Sequence, residues 1–246
     1  MNYSREEIVS PSKCDMKANL SLVGAVQIIQ DNVCYYFGEL GIDQIYMKNK
    51  FNVVWVCTKN KIEFYKNLHW NDTFKVKCFI SKITPITMVV DTVFVGENKE
   101  IFLYSKIEIC LLDIEKQKIR RIKEIIPNDF ETQNTLKDFT FEKFVFDEQN
   151  LSYLDNVVIK SSNIDYCMHT NNIEYIRYLT NIFSVNELIR NNIKSFEIDY
   201  INQSREGDNL NIYQDKTDDT KLIIKNGDLT VIKCKIQKEK RRTKDE

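Results

Sequence analysis

Glycine and proline are scarce in this chain, with six and three residues respectively. Collagen-like, linker-rich and low-complexity classes need far more of both and are excluded. Long apolar runs are missing too. No stretch approaches the ~20 residues that cross a bilayer, so no membrane span is expected. Nor is there the charge excess of a nucleic-acid binder: 35 Lys plus Arg face 36 Asp plus Glu, a net charge of −1. No nucleic-acid partner is expected from that balance. The seven cysteines (14, 34, 57, 78, 110, 167, 234) include no CxxC pair. An odd, scattered set suits neither a disulfide framework nor a zinc site; it reads as small buried residues in a reducing compartment. The opening MNYSREEIVSPSK is polar and charged and carries no apolar core of a signal peptide. These absences together lead us to expect a folded, cytoplasmic protein.

What is present is a strong periodic pattern. With 246 residues, 43% hydrophobic and 29% charged, the chain suits one large globular domain or two smaller ones. Apolar residues recur at helical spacing over 20–40 (Val23, Val26, Val33, Leu40), and Gly41 follows as a stop. Four segments rich in β-branched and aromatic residues come next: FNVVWVCTKNKIEFY, DTFKVKCFISKI, TMVVDTVFV and IFLYSKIEICLLDIE. Their alternation and turn signals predict an antiparallel meander. Residues 125–150 have weaker periodicity and read as a linker. The second half repeats the plan, with a helix over 172–192 and strands in SFEIDYINQ, DNLNIYQDK, TKLIIKN and DLTVIKCKIQ.

Two ungapped alignments support a duplication. SKCDMKANLSLVGAV (12–26) pairs with SNIDYCMHTNNIEYI (162–176), placing Asp15 on Asp165 and Asn19 on His169. IEFYKNLHWNDTFKV (62–76) pairs with IDYINQSREGDNLNI (198–212), placing Asp72 on Asp208. The first helix is nearly apolar all round, as befits a helix enclosed by a sheet. The expected fold class is therefore α+β, with two tandem hot-dog units, each a long central helix wrapped by an antiparallel β-sheet. The expected domains are 1–124, a linker 125–150, a second unit 151–237 and a basic tail 238–246.

The stretch IDYCMHTNNIEYIRYL (164–179) concentrates polar chemistry before the second helix. Its D-x-C-x-H-x-N-N-x-x-Y (Asp165, Cys167, His169, Asn171, Asn172, Tyr175) resembles the D-x-N-x-H-V-N-N-x-x-Y signature of acyl-acyl-carrier-protein thioesterases. The first half is similar to that family's N-terminal domain, with Trp55, a basic strand after it and a W-x-D turn at Trp70 and Asp72. The resemblance covers roughly residues 5–235. It implies hydrolysis of the thioester joining a fatty acyl chain to carrier protein, which releases free fatty acid and ends fatty-acid synthesis, with no metal or diffusible cofactor. The chain departs from the pattern at Cys167, where the family has Asn, at Gln203, where a catalytic Glu is expected, and at Ser204, where a Cys follows it.

The residues themselves suit that chemistry. A thioester carbonyl needs polarisation and a nucleophile, and a helix entrance offers backbone N–H groups to a developing oxyanion. Asp165 is a candidate to activate water, and His169 to orient it or to protonate the departing thiolate. Cys167 is a candidate nucleophile, since a nearby imidazole and a helix N-terminus both lower thiol pKa. Gln203 can hold water through its amide but cannot act as a base. Asn171 and Asn172 are candidate substrate-binding residues, although Asp and Asn are also natural helix caps. Trp55, Phe64 and Tyr65 are candidates to line an acyl pocket in the first unit, where Asn19 replaces the imidazole. His69 and Ser204 read as turn residues. The implied partner is acyl carrier protein bearing a phosphopantetheine-linked acyl chain, steered by the basic runs 116–123 and 233–244; a homodimer is left open. An acyl-CoA thioesterase and a non-catalytic protein that binds acyl chains or carrier protein are the competing functions.

Overall fold

The computed structural model describes residues 3–126, 130–135 and 139–241. Parts of the expected linker (127–129, 136–138) and of the expected tail (242–246) lie outside the described residues. Two compact units emerge, dividing between Thr140 and Phe141, with Asp15–Lys17 grouped with the second.

In the first unit the elements are β1 (Tyr3–Ile8), α1 (Leu22–Glu39), α2 (Gln44–Phe51), β2 (Val53–Phe64), β3 (Thr73–Ile83), β4 (Thr87–Val95), β5 (Ile101–Asp113) and β6 (Ile119–Arg120). Five strands form an antiparallel sheet in the order β1-β3-β4-β5-β2, with β6 added to β5. Ser21 caps α1 by accepting from the Gly24 N–H at 2.9 Å. Gly24 is required there, because a Cβ would sit 2.3 Å from the Lys13 carbonyl oxygen. At the other end Gly41 adopts φ +68° and the Ile42 N–H reaches back to the Phe37 carbonyl, the closing bond of a Schellman turn.

β1 and α2 are elements that periodicity did not reveal. Tyr3 anchors β1 by donating to Asn32 Oδ1 at 2.8 Å, a fully buried amide within the otherwise apolar α1. α2 starts at Asp43, whose carboxylate accepts from the Ile45 and Tyr46 N–H groups.

The second unit runs β7 (Leu151–Val158), α3 (Asn172–Asn181), α4 (Val185–Arg190), β8 (Asn191–Tyr200), β9 (Asn209–Asp215), β10 (Lys221–Asn226) and β11 (Leu229–Lys240). Its sheet order is β7-β9-β10-β11-β8. Position for position, that is the order of the first unit. Both are hot-dog units, so the chain is an α+β tandem hot-dog protein.

Three expectations need correction. The single helix over 172–192 is broken: Ser184 and Glu187 form a reciprocal capping box that starts α4, and residues 191–192 already belong to β8. Lys238–Lys240, assigned to a tail, extend β11 by pairing with Asn191–Ile193. Finally, the segment read as a linker packs on the first unit. Phe139 is buried against Phe79, Val93 and Tyr104, the Gln133 N–H donates to the Ile80 carbonyl, and Lys61 Nζ donates to Thr140 O. That cover explains why β4 is buried along nearly its whole length, on both faces.

Candidate active site

Each unit enters its central helix through the same hydrogen-bonded turn. In the second, the Asn163 N–H donates to Lys160 O, the Asn171 N–H to Asn163 O and the Thr170 N–H to Ser204 O; in the first, Lys13, Ser21 and Leu20 donate to Ser10, Lys13 and Leu68. Asp165 Oδ1 accepts from the Cys167 N–H at 2.8 Å, as Asp15 Oδ1 does from the Lys17 N–H at 2.8 Å. The left-handed residues coincide as well, Met168 at φ 63° and Ala18 at φ 57°. The aligned sequences thus have aligned backbones.

Within the second turn, Asp165, Cys167 and His169 lie together, all half-buried. The Asp165 N–H donates to the His169 carbonyl at 2.8 Å, and the His169 N–H points to Asp165 Oδ1 at 3.4 Å. Oδ2 of Asp165 takes no hydrogen bond among the described residues, which leaves an oxygen able to accept a proton from water. Burial lowers the pKa of His169 below its ordinary 6.5, the Arg205 guanidinium lowers it further, and Asp165 acts in the opposite sense. Burial and Arg205 thus favour the neutral imidazole.

Arg205 arrives through the loop after β8. The Thr170–Ser204 backbone bond brings Ser204 against the turn and Arg205 beside His169, much as Asn19 bridges His69 in the first unit. Burial alternates along the loop: Gln203 and Arg205 are exposed and Ser204 is fully buried. Ser204 Oγ lies 2.7 Å from both Thr170 Oγ1 and Tyr175 OH. Of these residues, the sequence reading passed over Thr170, Arg205 and the hydroxyl of Tyr175. For Thr170 and Tyr175 the signal is a polar group at a buried position, which periodicity alone does not separate from turn chemistry; the exposed Arg205 gives no such signal.

The remaining candidates have structural duties. Asn171 caps α3 by accepting from the Ile173 N–H at 3.0 Å, and its carbonyl takes the Glu174 N–H. Asn172 is the first residue of α3 and half-buried. Trp55 belongs to the first unit, where its indole N–H donates to Ile42 O at 2.9 Å and its ring packs on Phe37. Phe64 is half-buried, and Tyr65 is exposed. His69, as expected of a turn residue, donates its N–H to Asp72 Oδ2 at 2.7 Å. No group of three or more His, Cys, Asp or Glu among the described residues is arranged to hold a metal.

Duplicated helix-in-sheet units, one with a carboxylate and a neutral imidazole at its helix entrance, place the protein among tandem hot-dog proteins. The profile of the acyl-ACP thioesterase N-terminal domain matches residues 1–130 and that of the C-terminal domain matches residues 146–243. The chain belongs to the acyl-ACP thioesterase family and is a thioester hydrolase acting on fatty acyl-ACP. A search of curated protein sequences finds no match. The fold is similar to that of an acyl-ACP thioesterase from Bacteroides thetaiotaomicron, with a TM-score of 0.87 and 16% identity over 97% of this chain and 98% of that one. It is also similar to the 12:0-ACP thioesterase from Umbellularia californica, with a TM-score of 0.85 and 15% identity over 98% of each chain.

Proposed function

We propose that hydrolysis takes place at the helix entrance of the second unit, with Asp165 and His169 as the catalytic pair. Asp165 Oδ2 accepts a proton from the attacking water while the positive end of the α3 dipole favours the developing oxyanion. Neutral His169 orients that water, and the proton passes to the departing phosphopantetheine thiolate, giving free fatty acid and free thiol. Gln203 holds water or the carbonyl through its amide. Asn172 binds substrate and Trp55 serves acyl binding in the first unit, with Asn171 serving chiefly as the cap of α3. Cys167 fills the place of an amide. The observation that carries this reading is the asymmetry of two matching turns, of which only the second has a histidine in its own sequence, beside Arg205.

In this reading the enzyme ends fatty-acid synthesis in the cytoplasm, with residues 1–124 serving acyl binding and 151–237 the chemistry. A carrier-protein thioester is preferred over the matched CoA thioester, because the basic residues of 116–123 favour an acidic partner. Assays of matched thioesters on wild type, Asp165→Ala, His169→Ala and Cys167→Ser test it. Asp165→Ala and His169→Ala lower kcat by about a hundredfold or more. Cys167→Ser keeps turnover and accumulates no acyl-enzyme. Full activity in Asp165→Ala overturns the mechanism, and hydrolysis no faster than background in the wild type leaves only a binding role.

A further inference from the structure

Thr170, Tyr175 and Ser204 are 4%, 3% and 0% exposed, and they form one closed hydrogen-bond group. One proton assignment satisfies every hydroxyl. Thr170 donates to the Ser204 carbonyl at 3.1 Å, Ser204 donates to Thr170 Oγ1 and Tyr175 donates to Ser204 Oγ, each at 2.7 Å, while the Ser204 N–H donates to the Tyr175 oxygen at 3.2 Å. Each hydroxyl then donates once and accepts once. Burial strengthens such a group and makes loss of any member costly to the others.

The first unit provides an internal control. The residues equivalent to Thr170, Ser204 and Tyr175 are Leu20, Leu68 and Ala25, all apolar. Yet the backbone bond is kept, with the Leu20 N–H donating to Leu68 O at 2.7 Å. The hot-dog turn therefore forms without hydroxyls, and the hydroxyl group occurs only in the copy that bears His169.

We propose that Thr170, Tyr175 and Ser204 are positioning residues that lock the 203–205 segment and α3 against the His169 turn, setting Gln203 and Arg205 relative to the catalytic pair. This rests on the assignment of Asp165 and His169. Thr170 follows His169 directly, Ser204 lies between Gln203 and Arg205, and Tyr175 is in the first turns of α3. The group thus ties together the three segments that must hold register within a fraction of an ångström during the reaction.

Steady-state kinetics and thermal unfolding of Ser204→Ala, Tyr175→Phe, Thr170→Val and Thr170→Ser test this, with Ile212→Val in the β9 core as a stability control. The first three variants lower kcat about ten- to a hundredfold with KM little changed. Thr170→Ser, which keeps its hydroxyl, retains more turnover than Thr170→Val. Ile212→Val lowers Tm but not kcat. If the hydroxyl variants keep wild-type kcat, or if Thr170→Ser and Thr170→Val are equally impaired, the proposal is overturned. Should Ser204→Ala fail to fold, the isosteric Tyr175→Phe and the Thr170 pair decide. Asp165→Ala and His169→Ala run alongside: loss there with none in the hydroxyl variants refutes positioning alone, whereas full activity there refutes the catalytic assignment and this proposal with it.

Discussion

His169 is the residue whose surroundings make the sharpest prediction. Burial and Arg205 favour its neutral form, so the folded chain binds a proton there less readily than the unfolded chain does. The sign follows directly. The stabilising contribution is full above the ordinary value of 6.5 and is lost as pH falls through the lower folded-state pKa. Activity that needs neutral imidazole persists below 6.5 for the same reason. Arg205→Gln removes one of the two depressing influences and moves the acid limb of kcat/KM to higher pH; an unmoved limb excludes Arg205 as an influence on the imidazole. Tyr178 makes a second prediction. Its hydroxyl is buried, takes no hydrogen-bond partner among the described residues, and has its pKa pushed up to about 12 by burial. Tyr178→Phe deletes that unmatched group and stabilises the protein by about 1 kcal/mol in denaturant unfolding.

At the scale of the element, caps decide where helices begin. Asn171 supplies the side-chain oxygen that starts α3, so Asn171→Ala lowers stability by about 1 kcal/mol, read as a fall in Tm. If the same variant also raises KM beyond what the stability loss explains, Asn171 binds substrate in addition to capping. The strands after each central helix were legible because β-branched and aromatic residues alternate between turn signals; β3, β4 and β9 fall within a residue of their expected bounds. The break between α3 and α4 was legible in principle. Ser184-Val-Asn-Glu187 is a capping box, but apolar residues on both sides carry the helical period across it. β1 and β7 were not legible. Their sequences, YSREEI and LSYLDNVV, carry exposed edges and too few inward apolar residues to show alternation.

On the scale of the molecule, duplication separates scaffold from chemistry. Asp15 and Asn19 occupy the turn that Asp165 and His169 occupy, yet the turn carries Asn19 in place of a histidine, and the neighbouring His69 stands where the second unit has Arg205. Asp15→Ala and Asn19→Ala therefore leave kcat at the wild-type level, in contrast to the Asp165 and His169 variants. The packed linker gives a stability prediction. Phe139→Ala opens a cavity against Phe79, Val93 and Tyr104 and costs about 3 kcal/mol in denaturant unfolding, where an exposed linker residue would cost little.

By itself the sequence determined the tandem α+β plan, the turn bearing Asp165, Cys167 and His169, and the acyl-ACP thioesterase family. Those are properties of local periodicity and of short motifs, where residues close in the chain act together. Only the tertiary structure decided that Arg205 lies beside His169, that Ser204 joins Thr170 and Tyr175, and that Phe139 is core. Each depends on segments roughly 30 or more residues apart being brought into contact, and that follows from sheet order and burial rather than from spacing.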